Sequence, residues 1–224
     1  MTVQIRNFDS RADLRREFLE LLLAEIRRPA RIPHAVMLPG GSTPFEIYAE
    51  LAEMEAVIDR ELHVILSDER HVDFGDPESN YGRMLPLLLR AGLSERQILH
   101  PDCRLPLDEA AVRYDHVLHE FFERDGRITL AVLGVGTDGH TASLFSSEDL
   151  ENRQYPFAIP VRKPEPPDRI SVTRDLIARA DRIIFLCTGE EKSAIVSAIK
   201  AGSEQVIAVR AVERVDDVQL WYSR

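Results

Sequence analysis

The chain has 224 residues, enough to bury a full hydrophobic core, and we expect a single domain spanning residues 1–224. Its formal net charge of -10 argues against a nucleic-acid backbone as a partner, because such proteins present a basic surface. No apolar run is as long as a membrane span, and no signal-peptide core precedes the first charged residues. The two cysteines, Cys103 and Cys187, suggest neither a disulfide framework nor a zinc site, so we expect a cytoplasmic protein.

The first third of the chain alternates predicted strands and helices. Residues 3–8 alternate in polarity like a short edge strand, and a helical pattern follows from Ser10 to about residue 28. Residues 35–38 form a second predicted strand. Because strands and helices alternate in this way, the pattern favours a parallel sheet covered by helices.

A glycine-rich stretch, PGGSTP, follows the second predicted strand directly. Gly40 and Gly41 precede Ser42 and Thr43, and a helix is predicted over residues 45–54. Free backbone N–H groups and two hydroxyls therefore gather at a helix N-terminus, which favours an anion site. The alternative is an ordinary helix cap formed by Ser42 or Thr43.

A charged run, SDER, follows the third predicted strand, residues 62–66. Asp68 and Arg70 precede a loop-like stretch over residues 71–81, and a helix is predicted from there to residue 90. The run is either a solvated charge cluster or part of a site. Its position after a strand, at the edge where the glycine-rich stretch also lies, favours the site.

The next predicted helix, residues 105–124, carries His116 and His119 three positions apart, a spacing that a metal site could use. Asp115 and Glu120 flank them, and we interpret the pair as solvated surface histidines on a polar face. We therefore expect no metal and no cofactor.

The most informative stretch is LAVLGVGTDGHTASLF, residues 130–145. A buried strand over residues 128–133 runs into three closely spaced glycines with Asp138 and His140 among them. Glycines let backbone approach a ligand closely, and an extended segment would point Asp138 and His140 to the same side. We interpret the stretch as a catalytic Asp/His loop followed by a segment that could start a helix. A dinucleotide-binding turn and a purely structural turn are the alternatives.

The last third of the chain continues the alternation, apart from a loop predicted after Phe145. Helices are predicted over residues 175–180 and 188–202, and strands over residues 157–160, 169–173, 182–188, 206–209 and 218–222. The predicted fold is α/β, a three-layer, modified Rossmann-like arrangement with a mostly parallel sheet between helices, plus a small strand-rich C-terminal part.

Five motifs give the chain a family resemblance: PGGSTP (39–44), SDERHV (67–72) with SN (79–80), GVGTDGHTASLF (134–145), PPDRIS (166–171) and TGEEKSA (188–194). In this order they resemble the 6-phosphogluconolactonases, within the glucosamine-6-phosphate deaminase and ribose-5-phosphate isomerase-like superfamily. Arg70 after the Asp-Glu pair and Thr-Ala-Ser-Leu-Phe after His140 favour the lactonases over the deaminases. Ser146 stands where proline is usual, and Arg162-Lys-Pro-Glu replaces the usual Ser-Pro-Lys-Pro run.

The resemblance implies hydrolysis of 6-phosphoglucono-1,5-lactone to 6-phosphogluconate, in the oxidative pentose phosphate pathway. It implies His140 as general base, with Asp138 orienting either His140 or the attacking water. Arg70 or the amides of Gly40, Gly41 and Ser42 would stabilise the oxyanion, a choice the sequence leaves open. The implied substrate-binding residues are listed together: Gly40, Gly41, Ser42, Thr43, Asp68, Arg169 and Lys192.

Three other functions remain possible at this point: an aminosugar-phosphate deaminase or isomerase, a non-catalytic sugar-phosphate-binding module, and a hydrolase of another lactone. The expected partner is a small sugar-phosphate lactone, with no nucleic acid and no membrane, and we expect a monomer.

Overall fold

The computed structural model describes residues 3–54 and 57–224. The strands are β1 (Gln4–Phe8), β2 (His34–Leu38), β3 (Leu62–Leu66), β4 (Asp68–Arg70), β5 (Ile98–Leu99), β6 (Arg127–Gly134), β7 (Ala158–Val161), β8 (Arg169–Val172), β9 (Arg182–Thr188) and β10 (Asp217–Ser223). The helices are α1 (Arg11–Ile26), α2 (Ser42–Ala52), α3 (Asn80–Arg90), α4 (Leu107–Glu123), α5 (Ser147–Glu151), α6 (Arg174–Ile177), α7 (Ser193–Lys200) and α8 (Ile207–Ala211). Among these, no helix has both the length and the apolar composition needed to cross a bilayer.

Seven strands form one sheet in the order β1-β10-β9-β6-β2-β3-β5, and every neighbouring pair is parallel. The four central strands β9, β6, β2 and β3 are therefore side by side with their carboxyl ends at one edge. The loops that leave those strands meet at this edge, which is where ligands bind in open α/β sheets.

The sheet separates two apolar cores because side chains alternate between its faces. On β2, Ala35 and Met37 pack into one core with α4, while Val36 and Leu38 pack into the other with α1, α2 and α3. All five residues of β2 and of β3 are buried, as expected for strands covered on both faces. The predicted three-layer α/β fold with a mostly parallel sheet is confirmed.

A second, antiparallel sheet in the order β4-β8-β7 lies beside the main one. The sequence indicated only a charged run at β4, because a three-residue strand is too short to show a period. The small sheet comes from the middle of the chain, whereas the C-terminal strand β10 belongs to the main sheet.

Four local predictions are wrong. The predicted strand at 206–209 is helix α8, because a four-residue apolar run fits either period and packing decides between them. The predicted loop after Phe145 contains the short helix α5, which Ser146 caps together with Asp149. The segment after His140 is a turn and not a helix start. Asp115 is buried and accepts hydrogen bonds from two backbone amides of β7, so His119 beside it is only half exposed.

Candidate active site

A cavity of about 240 Å³ opens at the carboxyl edge of the main sheet. The loops that follow β2 and β6 line it, together with both ends of β4, the first residue of α3 and the residue before α7. Its walls are Pro39, Gly40, Gly41, Asp68, Arg70, Asn80, Gly134, Val135, Gly136, His140, Ala142 and Lys192. The structure therefore brings the three charged or glycine-rich motifs of the sequence into one place.

His140 and Asp138 form a close pair at the mouth of this cavity. The distance from His140 Nδ1 to Asp138 Oδ1 is 2.6 Å. Burial alone would raise the pKa of Asp138, but the hydrogen bond and the charge of His140 together lower it below its ordinary value. An ionised carboxylate only accepts, so Nδ1 carries the proton and Nε2 keeps its lone pair. Within the described ranges Nε2 has no hydrogen-bond partner.

Two glycines make this pairing possible. A Cβ added at Gly136 would overlap both His140 Nδ1 and Asp138 Oδ1, so only glycine lets the pair lie against the backbone. Gly139, between the paired residues, has a φ of 88°. The sequence predicted that Asp138 and His140 lie on one side of an extended segment. They do meet, but through a turn that needs the left-handed conformation glycine favours.

The turn after His140 is held at both ends by hydroxyl groups. Thr141 Oγ1 donates to the carbonyl oxygen of Gly134 at 2.9 Å, and Ser143 Oγ donates to Asp68 Oδ2 at 2.7 Å. Between them Ala142 has a φ of 48°, an uncommon conformation for a residue with a Cβ. Asp68, which also lines the cavity, therefore ties the start of β4 to the His140 loop.

Arg70 also lines the cavity. Its Nη1 donates to the carbonyl oxygen of Glu78 at 2.7 Å. Its backbone N–H donates to Oε1 of Glu69, a fully buried carboxylate that also accepts from the backbone of Asn80 at 2.7 Å and of Tyr81 at 2.6 Å. Burial raises the pKa of Glu69, and these backbone N–H groups oppose that rise. Glu69 thus fastens the start of α3 to β4.

Asn80 reaches the cavity from the start of α3. Its Nδ2 donates to the carbonyl oxygen of Asp68 at 3.0 Å, and a Cβ added at Gly40 would overlap its side chain. Glu69 and Asn80 are residues that the sequence did not single out. Both residues lie in motifs of the sequence, Glu69 in SDER and Asn80 in SN. Nothing in the sequence shows that these two motifs are in contact.

A second cavity of about 230 Å³ continues from the first past shared residues, Lys192 among them. Ser42 and Thr43 lie here at the N-terminus of α2, and Thr43 Oγ1 is 2.7 Å from Thr188 Oγ1. Lys192 Nζ donates to the carbonyl oxygen of Val135 at 2.7 Å. The hydroxyls, the ammonium group and the free amides of a helix start suit an anion.

Arg11 and Arg15 of α1 also line this second cavity, and the sequence gave no indication of either. Arg15 is paired with Glu46 and Glu50 at 2.9 and 3.0 Å. Arg11 and Arg15 lie near the N-terminus of α2 because α1 and α2 pack in the same core on one face of the sheet. The amphipathic pattern of α1 predicts that Leu14 and Phe18 are buried in the core. It does not show which part of the structure the polar face of the helix lies against.

Arg169, expected to bind substrate, lies outside both cavity linings. Its Nη1 donates to the carbonyl oxygens of Pro167 and Asp168. Burial and the neighbouring charge of Arg70, its partner across β4 and β8, both lower the pKa of Arg169. The other expected site residues all line one cavity or both, apart from Asp138, which reaches the site through His140.

Neither a thiolate nor a cluster of metal ligands is found beside these groups. Burial raises the pKa of Cys187 to about 12, with Lys192 opposing the rise, so the group stays a thiol at neutral pH. Among residues 3–54 and 57–224, no three His, Cys, Asp or Glu side chains converge as a metal site requires. His140, whose Nε2 has no hydrogen-bond partner among the described residues, is a residue of the cavity that can accept a proton.

Fold and site together define an α/β protein whose ligand site is built by loops at the carboxyl edge of a parallel sheet. A family model described as glucosamine-6-phosphate isomerases/6-phosphogluconolactonase matches residues 9–221. The chain belongs to this family.

Individual relatives agree with that assignment. The chain is 31% identical over 210 residues to the 6-phosphogluconolactonase of Haemophilus influenzae, covering 85% of this chain and 84% of that protein. It is 34% identical over 161 residues to the 6-phosphogluconolactonase of Rattus norvegicus, covering 69% of this chain and 62% of the rat protein. The crystal structure of 6-phosphogluconolactonase from Thermotoga maritima superposes with a TM-score of 0.81 and 24% identity, covering 99% of each chain. At that identity the structural likeness shows the fold.

Proposed function

We propose that the protein hydrolyses 6-phosphoglucono-1,5-lactone to 6-phosphogluconate, as a step of the oxidative pentose phosphate pathway. The observation that carries the proposal is the Asp138–His140 pair, at 2.6 Å, beside a cavity that both His140 and Arg70 line. A lactone is an activated ester, so its hydrolysis needs a positioned water, a base and charge stabilisation at the carbonyl oxygen. The relatives named above carry the name of this activity.

In the proposed reaction, Nε2 of His140 takes a proton from the attacking water. The water oxygen bonds to the lactone carbonyl carbon, and the carbonyl oxygen becomes an oxyanion. When this intermediate collapses, the bond from the carbonyl carbon to the ring oxygen breaks, and the imidazolium returns its proton to that oxygen. Asp138 stabilises the imidazolium between the two transfers and keeps the proton on Nδ1. The acid formed then ionises and releases one proton.

Two groups are placed to stabilise the oxyanion, and we propose Arg70 as the principal one. Its guanidinium lines the cavity together with His140, and the bond to the carbonyl of Glu78 fixes its direction. The backbone amides of Gly40, Gly41 and Ser42 are the alternative, and Gly40 and Gly41 line the same cavity. Replacing Arg70 with lysine keeps the positive charge but removes the paired N–H donors of the guanidinium. This variant therefore distinguishes Arg70 from the backbone amides as the group that stabilises the oxyanion.

The phosphate end of the substrate would extend into the second cavity. Lys192, Ser42 and Thr43 are there, and Lys192 also borders the cavity that holds His140. We expect this arrangement to set specificity for a phosphorylated lactone, with a charge-assisted contact from Lys192. We propose that Arg169 turns from the Pro167 carbonyl to reach the phosphate when substrate is bound.

We further propose that the protein works in the cytoplasm as a monomer. Two buried, unpaired cysteines suit a reducing compartment. Sedimentation of the purified protein tests the monomeric state, since a mass of two chains would contradict it.

The test of the proposed reaction is a coupled assay in which glucose-6-phosphate dehydrogenase generates the lactone freshly and 6-phosphogluconate is measured. Spontaneous hydrolysis is subtracted from every rate. We expect turnover of the lactone and none of glucosamine 6-phosphate. Turnover of the aminosugar with no acceleration of lactone hydrolysis would assign the chain to the other branch of its family.

A further inference from the structure

The buried hydroxyl of Ser143 joins the loop that carries the proposed base to the strand that carries the proposed oxyanion donor. Its Oγ donates to Oδ2 of Asp68 at 2.7 Å. Ser143 follows His140 by three residues, and Asp68 precedes Arg70 by two. We propose that Ser143 is a positioning residue, which fixes the place of His140 relative to Arg70. This role rests on the proposed hydrolysis, in which His140 and Arg70 act on one carbonyl group.

Asp68 and Arg70 are the two ends of β4, in the small antiparallel sheet. Residues two apart on a strand point to the same face, and both of these residues line the cavity. Within residues 3–54 and 57–224, the bond from Ser143 to Asp68 is the only hydrogen bond between the segment 134–145 and β4. Ser143 is therefore the hydrogen-bonded link between the His140 segment and the strand of Arg70.

Ser143 is fixed at its backbone as well as at its hydroxyl. The residue is 1% exposed, and its N–H donates to Oγ of Ser171 on β8 at 3.1 Å. The residue before it, Ala142, has a φ of 48°, a costly conformation for a residue with a Cβ, which persists where the surrounding structure imposes it. Both bonds of Ser143 hold the chain on one side of Ala142. Without the hydroxyl, the turn is free to relax toward an ordinary backbone conformation and to displace His140.

The consequence of such a displacement falls on the chemical step. A misplacement of about 1 Å in a reacting group can lower the rate on the order of 100-fold. The proposed phosphate contacts, at Ser42 and Lys192, belong to the second cavity, which neither Ser143 nor Asp68 lines. We therefore expect loss of the Ser143 hydroxyl to lower kcat much more than it raises the Michaelis constant.

The experiment compares Ser143→Ala with Ser67→Ala in the coupled lactonase assay, with spontaneous hydrolysis subtracted. Ser67 is the matched control because it is also buried and its Oγ donates to the other oxygen of the same carboxylate, Oδ1 of Asp68, at 3.0 Å. It directly precedes Asp68 in the chain, so this bond does not reach the His140 segment. Ser143→Ala should lower kcat roughly 10–100-fold with the Michaelis constant within a few-fold, whereas Ser67→Ala should leave kcat within about twofold.

A second measurement separates positioning from a general weakening of the fold. The imidazole ¹H–¹⁵N signals of His140 should move in Ser143→Ala and stay in place in Ser67→Ala, while the urea midpoints show that both variants are folded. Ser143→Cys fills the same space with a weaker donor, so a loss of kcat there assigns the effect to the hydrogen bond.

Two results would overturn the role of Ser143 alone: a kcat for folded Ser143→Ala equal to that of Ser67→Ala, or His140 signals that do not move. Either result would leave lactone hydrolysis by the original protein intact. Failure of the original protein to accelerate that hydrolysis would instead overturn the proposed function, and the role of Ser143 with it.

Discussion

Replacing Asp138 with asparagine should slow lactone hydrolysis by removing a charge without turning the imidazole over. Two donors face Asp138 Oδ1: His140 Nδ1 at 2.6 Å and the backbone N–H of His140 at 3.3 Å. An asparagine side chain can present its own oxygen to both donors. The tautomer with a free Nε2 is then retained, and the variant loses only the carboxylate that stabilises the imidazolium.

The size of the effect follows from that contact. A hydrogen bond to a charged group contributes about 1.5–3 kcal/mol. Since about 1.4 kcal/mol is a factor of ten in rate, kcat should fall roughly 10–150-fold. The Michaelis constant should change only a few-fold, because the carboxylate contacts His140 and does not itself contact the substrate. His140→Asn removes the base itself and should lower kcat further than Asp138→Asn does.

The assay is the coupled lactonase rate with spontaneous hydrolysis subtracted, and Asp108→Asn serves as the control. Asp108 is an exposed carboxylate in one surface ion pair, with Arg162, and its replacement should leave kcat unchanged. A kcat for Asp138→Asn within twofold of the original would refute the coupling between the two side chains. A loss as large as that of His140→Asn would show that the amide nitrogen faces Nδ1 and reverses the tautomer.

The Asp138→Asn variant also tests how the stability of the protein depends on pH. Because His140 lowers the pKa of Asp138 in the folded state, the pair adds stability above the ordinary aspartate value of 3.8 and loses it as the pH falls through the lowered value. The difference in urea midpoint between the original protein and Asp138→Asn should therefore vanish in strong acid. It should be small throughout, since the Asp138 side chain is 61% exposed. A difference that grows in acid would contradict the direction of the shift.

The remaining predictions concern the loop, the phosphate and metals. Gly136→Ala should lower kcat by at least tenfold, because its Cβ would overlap the paired side chains of Asp138 and His140, and a fully active variant would contradict this. Lys192→Ala should raise the Michaelis constant roughly 10–150-fold for the phosphorylated lactone but hardly at all for plain gluconolactone. Equal losses of kcat/KM on both would show that Lys192 does not contact the phosphate. Activity should survive chelation, and loss in a chelator with rescue by a divalent ion would contradict the metal-independent reaction.

The sequence predicted most of the fold because its signals are local. The mainly apolar runs of β2 and β3 and the four-residue spacing of Leu14 and Phe18 report burial directly. It failed where tertiary packing decides. The pattern over residues 206–209 predicts a strand because all four are apolar and three are β-branched. Residues 207–209 instead begin α8, in which Ala208 donates its N–H to the carbonyl of Gly139. No local pattern contains that contact.

The candidate site was predictable for a different reason. His140, Asp138, Arg70 and the glycine-rich stretch each follow a strand, so a parallel sheet must bring them to one edge. What the sequence lacks is the support behind them. Glu69 was one charge in a run of three, and only the fold shows it buried under the backbone amides of Asn80 and Tyr81. Arg169 could be placed on its strand, but the direction of its side chain could not.

The most direct test of the central claim, that Nε2 of His140 removes the proton from the attacking water, is the kcat of His140→Asn. Asparagine keeps hydrogen-bonding capacity and approximate size, and the urea midpoint of the variant confirms that it is folded. On the phosphorylated lactone, after subtraction of spontaneous hydrolysis, kcat should fall roughly 10²–10⁴-fold while the Michaelis constant stays within a few-fold. The remaining rate should no longer decline on acidification, because the imidazole that accepts the proton is gone. A folded variant with a near-normal kcat, or with an unchanged acid limb, would contradict the account.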